Sequence, residues 1–100
     1  VEAAWFEGKR REKGRTSVTD GVPMAMPALP LIEKLLHRAE KGGVALPPID
    51  PQVEALLDEH DPGELILEIV AAAQARGVDA DAAARRAALT LREDLIRREQ

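Results

Sequence analysis

The chain contains no cysteine and no tyrosine, one tryptophan, one phenylalanine, and no apolar run long enough to span a membrane. Each shortage removes a class of protein. Without cysteine there is neither a disulfide framework nor a thiolate metal centre, and the composition suits a reducing, cytoplasmic compartment. Without a run of roughly 20 apolar residues no membrane helix is expected, and the first residues lack the charged-then-apolar order of a secretory signal. With Trp5 and Phe6 as the whole aromatic complement, a core must be assembled from Leu, Ile, Val and Ala. Nothing alternates apolar and polar residues with period two, so strands are not expected.

What is present is a 100-residue chain of net charge -4. That length suits one domain and is short enough for a partner subunit to add to its core. The chain starts at Val1 and not at Met, which predicts a fragment of a longer polypeptide. The acidic balance argues against a nucleic-acid binder. Lys9, Arg10, Arg11, Lys13 and Arg15 do cluster, but Glu7 and Glu12 dilute them, and the group reads as a solvated helix end.

Apolar periodicity and breakers predict an all-α chain of about four to five helices, a small helical bundle. A polar helix over Glu2 to Lys13 carries Trp5 and Phe6 as its apolar patch. Residues 16 to 27 should form an extended connection, because Asp20-Gly21 is a turn signal and Pro23 and Pro27 push their predecessors out of the helical region. From there Leu29, Ile32, Leu36 and Ala39 recur at helical spacing, with Leu35 widening the stripe, until Gly42-Gly43 ends the helix.

Residues 44 to 51 hold three prolines and read as coil. Asp50-Pro51 then opens a short helix to about Glu59. Asp61-Pro62-Gly63-Glu64 opens another with capping-box spacing. This second helix, LILEIVAAAQAR, is apolar nearly all round, which predicts burial on more than one side. Gly77 stops it and Asp79 caps the last helix, which carries a stripe of Ala84, Ala88, Leu91 and Leu95. On its outer face Glu93 with Arg97 and Asp94 with Arg98 stand at pairing distance.

The stretch TSVTDGVPMAMPAL followed by EKLLHRAEKGGV resembles the connector after the catalytic domain of MazG-type nucleoside triphosphate pyrophosphohydrolases. The residues that carry the likeness are Ser17, Asp20, Gly21, Val22, Pro23, Pro27, Ala28, Leu29, Lys34, Leu35, Arg38, Ala39 and Gly43. Trp5 and Lys9 look like the tryptophan and lysine of the helix before that connector. The segment from Gly63 to Glu99 is similar to the last two helices of the family, and the proline-rich middle is unmatched.

The resemblance implies a layout. Residues 1–15 would be a helix continuing from an upstream catalytic domain, and residues 16–27 a proline-containing strap with Val22, Met24 and Met26 against the helices. Residues 28–100 would be a degenerate C-terminal copy of the catalytic helical unit. It also implies a reaction, cleavage of a nucleoside triphosphate to the monophosphate and diphosphate with Mg2+ held by carboxylates, because attack of water on a polyanion needs its charge neutralised.

The family supplies four acids from Glu-Glu-x-x-Glu and Glu-x-x-Asp on facing helices. Here the second motif is represented by Asp61 and Glu64, which capping explains equally, and Glu68 could extend that acidic face. Glu54 and Asp58 keep only the outer spacing of the first motif, since Ala55 replaces the middle acid. The short link from Asp58 to Asp61 also opposes a side-by-side arrangement. A complete metal site within this chain is therefore not expected.

Lys34 and Arg38, four apart on one face, are candidates for phosphate contact, with a solvated face as the alternative. His37 and His60 read as surface groups. No catalytic triad order or glycine-rich phosphate loop appears. The expected function is the C-terminal part of a pyrophosphohydrolase, structural or dimerising, that meets nucleotides through the full-length protein. Its expected partners are a homodimer or higher homo-oligomer, with no nucleic acid and no membrane. The alternative is a non-catalytic helical protein–protein interaction module.

Overall fold

The computed structural model describes residues 17–100, and among them the regular elements are four α-helices with no strand: α1 (Ala28–Lys41), α2 (Pro51–Glu59), α3 (Pro62–Ala75) and α4 (Ala80–Arg98). The fold class is all-α. The expected helix over Glu2 to Lys13, with Trp5, Phe6 and Lys9, lies outside the described residues.

Local chemistry sets the helix ends. The Asp50 carboxylate accepts the Gln52 N–H at 2.8 Å, and Pro51 follows at the first helical position. Asp61 repeats the device on the Gly63 N–H at 2.9 Å, with Pro62 after it, and Asp79 accepts the Ala82 N–H at 3.0 Å. Each bond satisfies an amide that has no partner within its own helix. At the other end, Gly43 and Gly77 take φ of 72° and 71°, a left-handed conformation that stops α1 and α3 and suits a residue without Cβ.

The described residues divide into two units, residues 17–46 with 84–100, and residues 47–83. The core of the first is Val22, Leu31, Leu35, Ala39, Ala88 and Leu95, with Met24, Met26 and Leu91 packed on it. Fully burying Leu31, Leu35 and Leu95 contributes about 1.5–3 kcal/mol apiece. On α4 the expected stripe is the one used: Ala88 and Leu95 are buried, and Ala84 and Leu91 half-buried.

On α1 the buried line is Ala28, Leu31, Leu35 and Ala39, while Leu29 is 50% exposed. The expected stripe of Leu29, Ile32, Leu36 and Ala39 is thus displaced by about one position over most of its length. The run from Ala28 to Leu36 offers apolar residues at both i and i+1, so helical periodicity alone cannot choose between two adjacent stripes. Packing with Val22, Ala88 and Leu95 chooses.

The segment before α1 is turned where an extended connection was expected. The Val22 N–H donates to the Thr19 carbonyl at 3.2 Å with Gly21 at φ 80°, and the Met26 N–H donates to the Pro23 carbonyl at 3.2 Å. Asp20-Gly21 supplies the positive φ that the third position of such a turn requires.

Backbone groups in this strap have no helical ladder, and side chains from elsewhere meet them. The Arg38 guanidinium donates to the Val18 and Asp20 carbonyls at 3.3 and 2.9 Å. Arg85 donates to the Met24 and Met26 carbonyls at 2.8 and 2.6 Å. Glu99 accepts from the Ser17 hydroxyl at 2.5 Å and the Val18 N–H at 2.9 Å. Three charged side chains thus clamp the strap along its length.

Candidate functional site

The acids proposed as metal ligands all lie in the second unit, on the α2–α3 pair. Glu54 and Asp58 stand one turn apart on exposed α2, and Asp61 and Glu64 flank the start of α3. The Asp61 carboxylate is engaged by its own helix through the Gly63 N–H, two residues on and not three as a capping box would have it. A Cβ at Gly63 would stand 2.9 Å from that Asp61 oxygen, the mobile end of an exposed side chain, and the same cap at Asp50 is made to Gln52, so glycine is not required there.

Among the described residues no group of three or more His, Asp or Glu gathers in a way that could hold a metal ion. The four proposed acids belong to no such group among the described residues. His60 and Asp61 are all that separate α2 from α3, and Asp61 is committed to its cap.

The two candidate phosphate contacts belong to the first unit. Lys34 is exposed on α1, whereas Arg38 is half-buried with its guanidinium on the strap carbonyls of Val18 and Asp20. Arg38 is thus occupied as a positioning group for the strap. His37 and His60 are both exposed.

Asp94 is the acid whose electrostatics the fold changes most clearly. Arg98, hydrogen-bonded to it at 2.7 Å, holds its carboxyl below the usual carboxylate range, and Arg97 at 3.2 Å adds to the effect. Arg97 turns to Asp94, where pairing with Glu93 was expected. Such exposed pairs contribute little to stability, because water and salt screen them.

Sequence reasoning missed Arg85 and Glu99 as clamps. The signal for Arg85 is slight: a cation beside the alanines of a buried stripe, opposite a proline-broken segment whose carbonyls need donors. Its partners are 59 and 61 residues away, beyond any local pattern.

The most distinctive surface is apolar. Neither α2 nor α3 has a buried residue. Between them runs a groove of about 430 Å³ lined by Val53, Leu56, Leu57, Leu65, Ile66 and Ile69, with Glu68 on its wall. Leu67 is 70% and Ile69 67% exposed. Around these side chains the unit from Pro47 to Ala83 carries nine acidic residues against the single base Arg76. An apolar groove on an acidic segment, with Glu68 in its lining, is what this part of the chain presents.

No helix among the described residues is long and apolar enough to cross a membrane. No family model matches the chain, and no solved structure matches it. It is 42% identical over 94 residues to an uncharacterized 26.1 kDa protein in the blaB 3' region of Streptomyces cacaoi, a match covering 93% of this chain and 36% of that protein. It is 45% identical over 42 residues to a nucleoside triphosphate pyrophosphohydrolase of Mycobacterium tuberculosis, covering 42% of this chain and 13% of that protein. The chain thus spans little more than a third of the longer-matching relative, and its likeness to a pyrophosphohydrolase is partial.

Proposed function

We propose that this chain is a C-terminal, non-catalytic helical segment of a nucleoside triphosphate pyrophosphohydrolase, and that hydrolysis to the monophosphate and diphosphate takes place elsewhere in the longer protein. The observation that carries the reading is the use made of the acids. Asp61 caps its own helix, Glu54, Asp58 and Glu64 stand exposed, and the described residues gather no ligand set for a divalent cation. The link to pyrophosphohydrolases is supported by the 42-residue similarity and by the strap motif. In this reading the segment's contribution is a clamped strap and a helical pair with apolar surface to offer.

The test is a pyrophosphate-release assay with several nucleoside triphosphates and Mg2+, on this chain and on a longer polypeptide containing it. Activity in the longer form alone is expected. Mg2+-dependent release by residues 1–100 that Glu64→Gln abolishes would overturn the proposal. A second reading, a helical protein–protein interaction module unconnected with nucleotides, is favoured by the exposed apolar surface of α2 and α3. Inactivity of the longer form towards every triphosphate would select it.

A further inference from the structure

We infer that the groove between α2 and α3 is a docking site for a cationic amphipathic helix of another protein, which lays an apolar stripe into the groove and turns lysines or arginines towards the acids beside it. The inference rests on neither functional reading, since it uses only the surface of residues 47–83.

Shape selects a helix. Val53, Leu56 and Leu57 of α2 and Leu65, Ile66 and Ile69 of α3 line a groove of about 430 Å³, and all but Leu65 are large apolar side chains left exposed. Helices of 9 and 14 residues are marginal in water unless packing covers an apolar face, and neither of these has a buried residue. An extended peptide would find no strand edge among the described residues to pair with, whereas a helix satisfies its own backbone and needs only apolar contact. Along α3 the lining runs from Pro62 to Ala72, a rise of about 15 Å. That is the length of about three turns, so the occupant is short and anchors itself at i, i+3 or i+4, and i+7.

Charge selects which helix. Glu68 is the one charged residue in the lining, and it is exposed. Glu64 stands one turn before it on α3, and on α2 the exposed Glu54 and Asp58 follow Val53 and Leu57 directly. Against nine acidic residues the unit has the single base Arg76. A second copy of this surface would bring acid against acid, and a neutral helix would draw water from Glu68 and give it no partner. A helix with lysine or arginine beside its apolar stripe meets Glu68 and holds its other cations over an acidic surface. A contact of three turns falls short of the roughly 1,200–2,000 Å² of a stable interface, so the complex is transient and of micromolar affinity.

The experiment titrates the 100-residue chain into a fluorescently labelled, acetylated and amidated peptide and reads anisotropy. The peptide has about 14 residues, with leucines at i, i+3, i+4 and i+7 and lysines and alanines elsewhere. Micromolar binding is expected at about 0.05 M NaCl, weakening at least about tenfold by about 0.5 M as salt screens the ionic share. Peptides with glutamate for every lysine, or serine for every leucine, should each bind at least about tenfold more weakly. Ile69→Gln and Glu68→Lys should weaken binding by a similar factor while helical content by circular dichroism is kept. Leu29→Gln, on exposed surface of the first unit, should leave binding unchanged. A helical wild-type chain that does not bind the lysine peptide would overturn the inference. So would equal affinity for the lysine and glutamate peptides, or for the leucine and serine peptides, or binding untouched in both groove variants. Self-association that excludes the peptide, read by sedimentation, would also overturn it and make a second copy the occupant. Pyrophosphate release does not enter this test, so failure here leaves the proposed function standing, and the converse holds.

Discussion

Replacing Arg85 by Met tests whether the strap before α1 is held by side chains or by its own prolines. Arg85 places one guanidinium nitrogen 2.8 Å from the Met24 carbonyl and the other 2.6 Å from that of Met26. Methionine keeps most of the aliphatic stem, so the loss isolates the two hydrogen bonds from packing. Bonds with a charged donor contribute about 1.5–3 kcal/mol each, and part-buried carbonyls regain some of that from water. A loss of about 2–4 kcal/mol is therefore expected, a large share of the roughly 5–15 kcal/mol that a domain of this size has.

Urea unfolding followed by circular dichroism measures it, with protomer concentration held fixed so that association does not enter the comparison. The midpoint should fall while the slope stays unchanged, because the surface exposed on unfolding is the same. Amide exchange gives an independent readout. The Met26 and Val22 N–H groups, bonded to the Pro23 and Thr19 carbonyls, should exchange faster in the variant, by a larger factor than the amides of α1. Arg85→Lys should recover only part of the loss, since an ammonium lacks the planar fork that spans two carbonyls. A change below about 0.5 kcal/mol in Arg85→Met, the scatter of an ordinary surface substitution, with exchange unaltered, would refute the clamp.

Leu35→Ala should cost about 2–5 kcal/mol and Leu29→Ala well under half as much, because the first is wholly buried and the second 50% exposed; equal losses in urea melts would place the α1 stripe elsewhere. Gly21→Ala should destabilise by about 1 kcal/mol in the same assay, since φ of 80° is unfavourable for a residue with Cβ, and a neutral result would mean that the turn relaxes. Asp94 has a folded pKa lowered first by its hydrogen bond to Arg98. A lowered folded pKa contributes stability that is present above the unfolded value and lost as pH falls through the folded one. Asp94→Asn should therefore narrow its difference from the wild type as melts move from neutral pH into the acid range, and a difference constant with pH would refute that assignment.

The sequence by itself determined where the helices begin and end, and the chemistry is local. Asp50-Pro51, Asp61-Pro62, Asp79, Gly43 and Gly77 act within a turn of where they stand, so caps and stops were legible without knowledge of the rest of the chain. The α4 stripe was legible too, because its alanines and leucines fall on one line with charge on either side.

Tertiary structure alone decided three matters. It chose the 28-31-35-39 line of α1 over its neighbour, because two adjacent apolar stripes satisfy the same periodicity and only contact with Val22, Ala88 and Leu95 separates them. It gave Arg38, Arg85 and Glu99 to the strap, because the backbone groups they meet lie 18 to 81 residues away, and which loop carbonyl or N–H lacks a partner is known only once the chain has turned. It also left the α2–α3 apolar surface open. Composition can say that a helix is apolar all round, but whether its second face is covered depends on what reaches it in space.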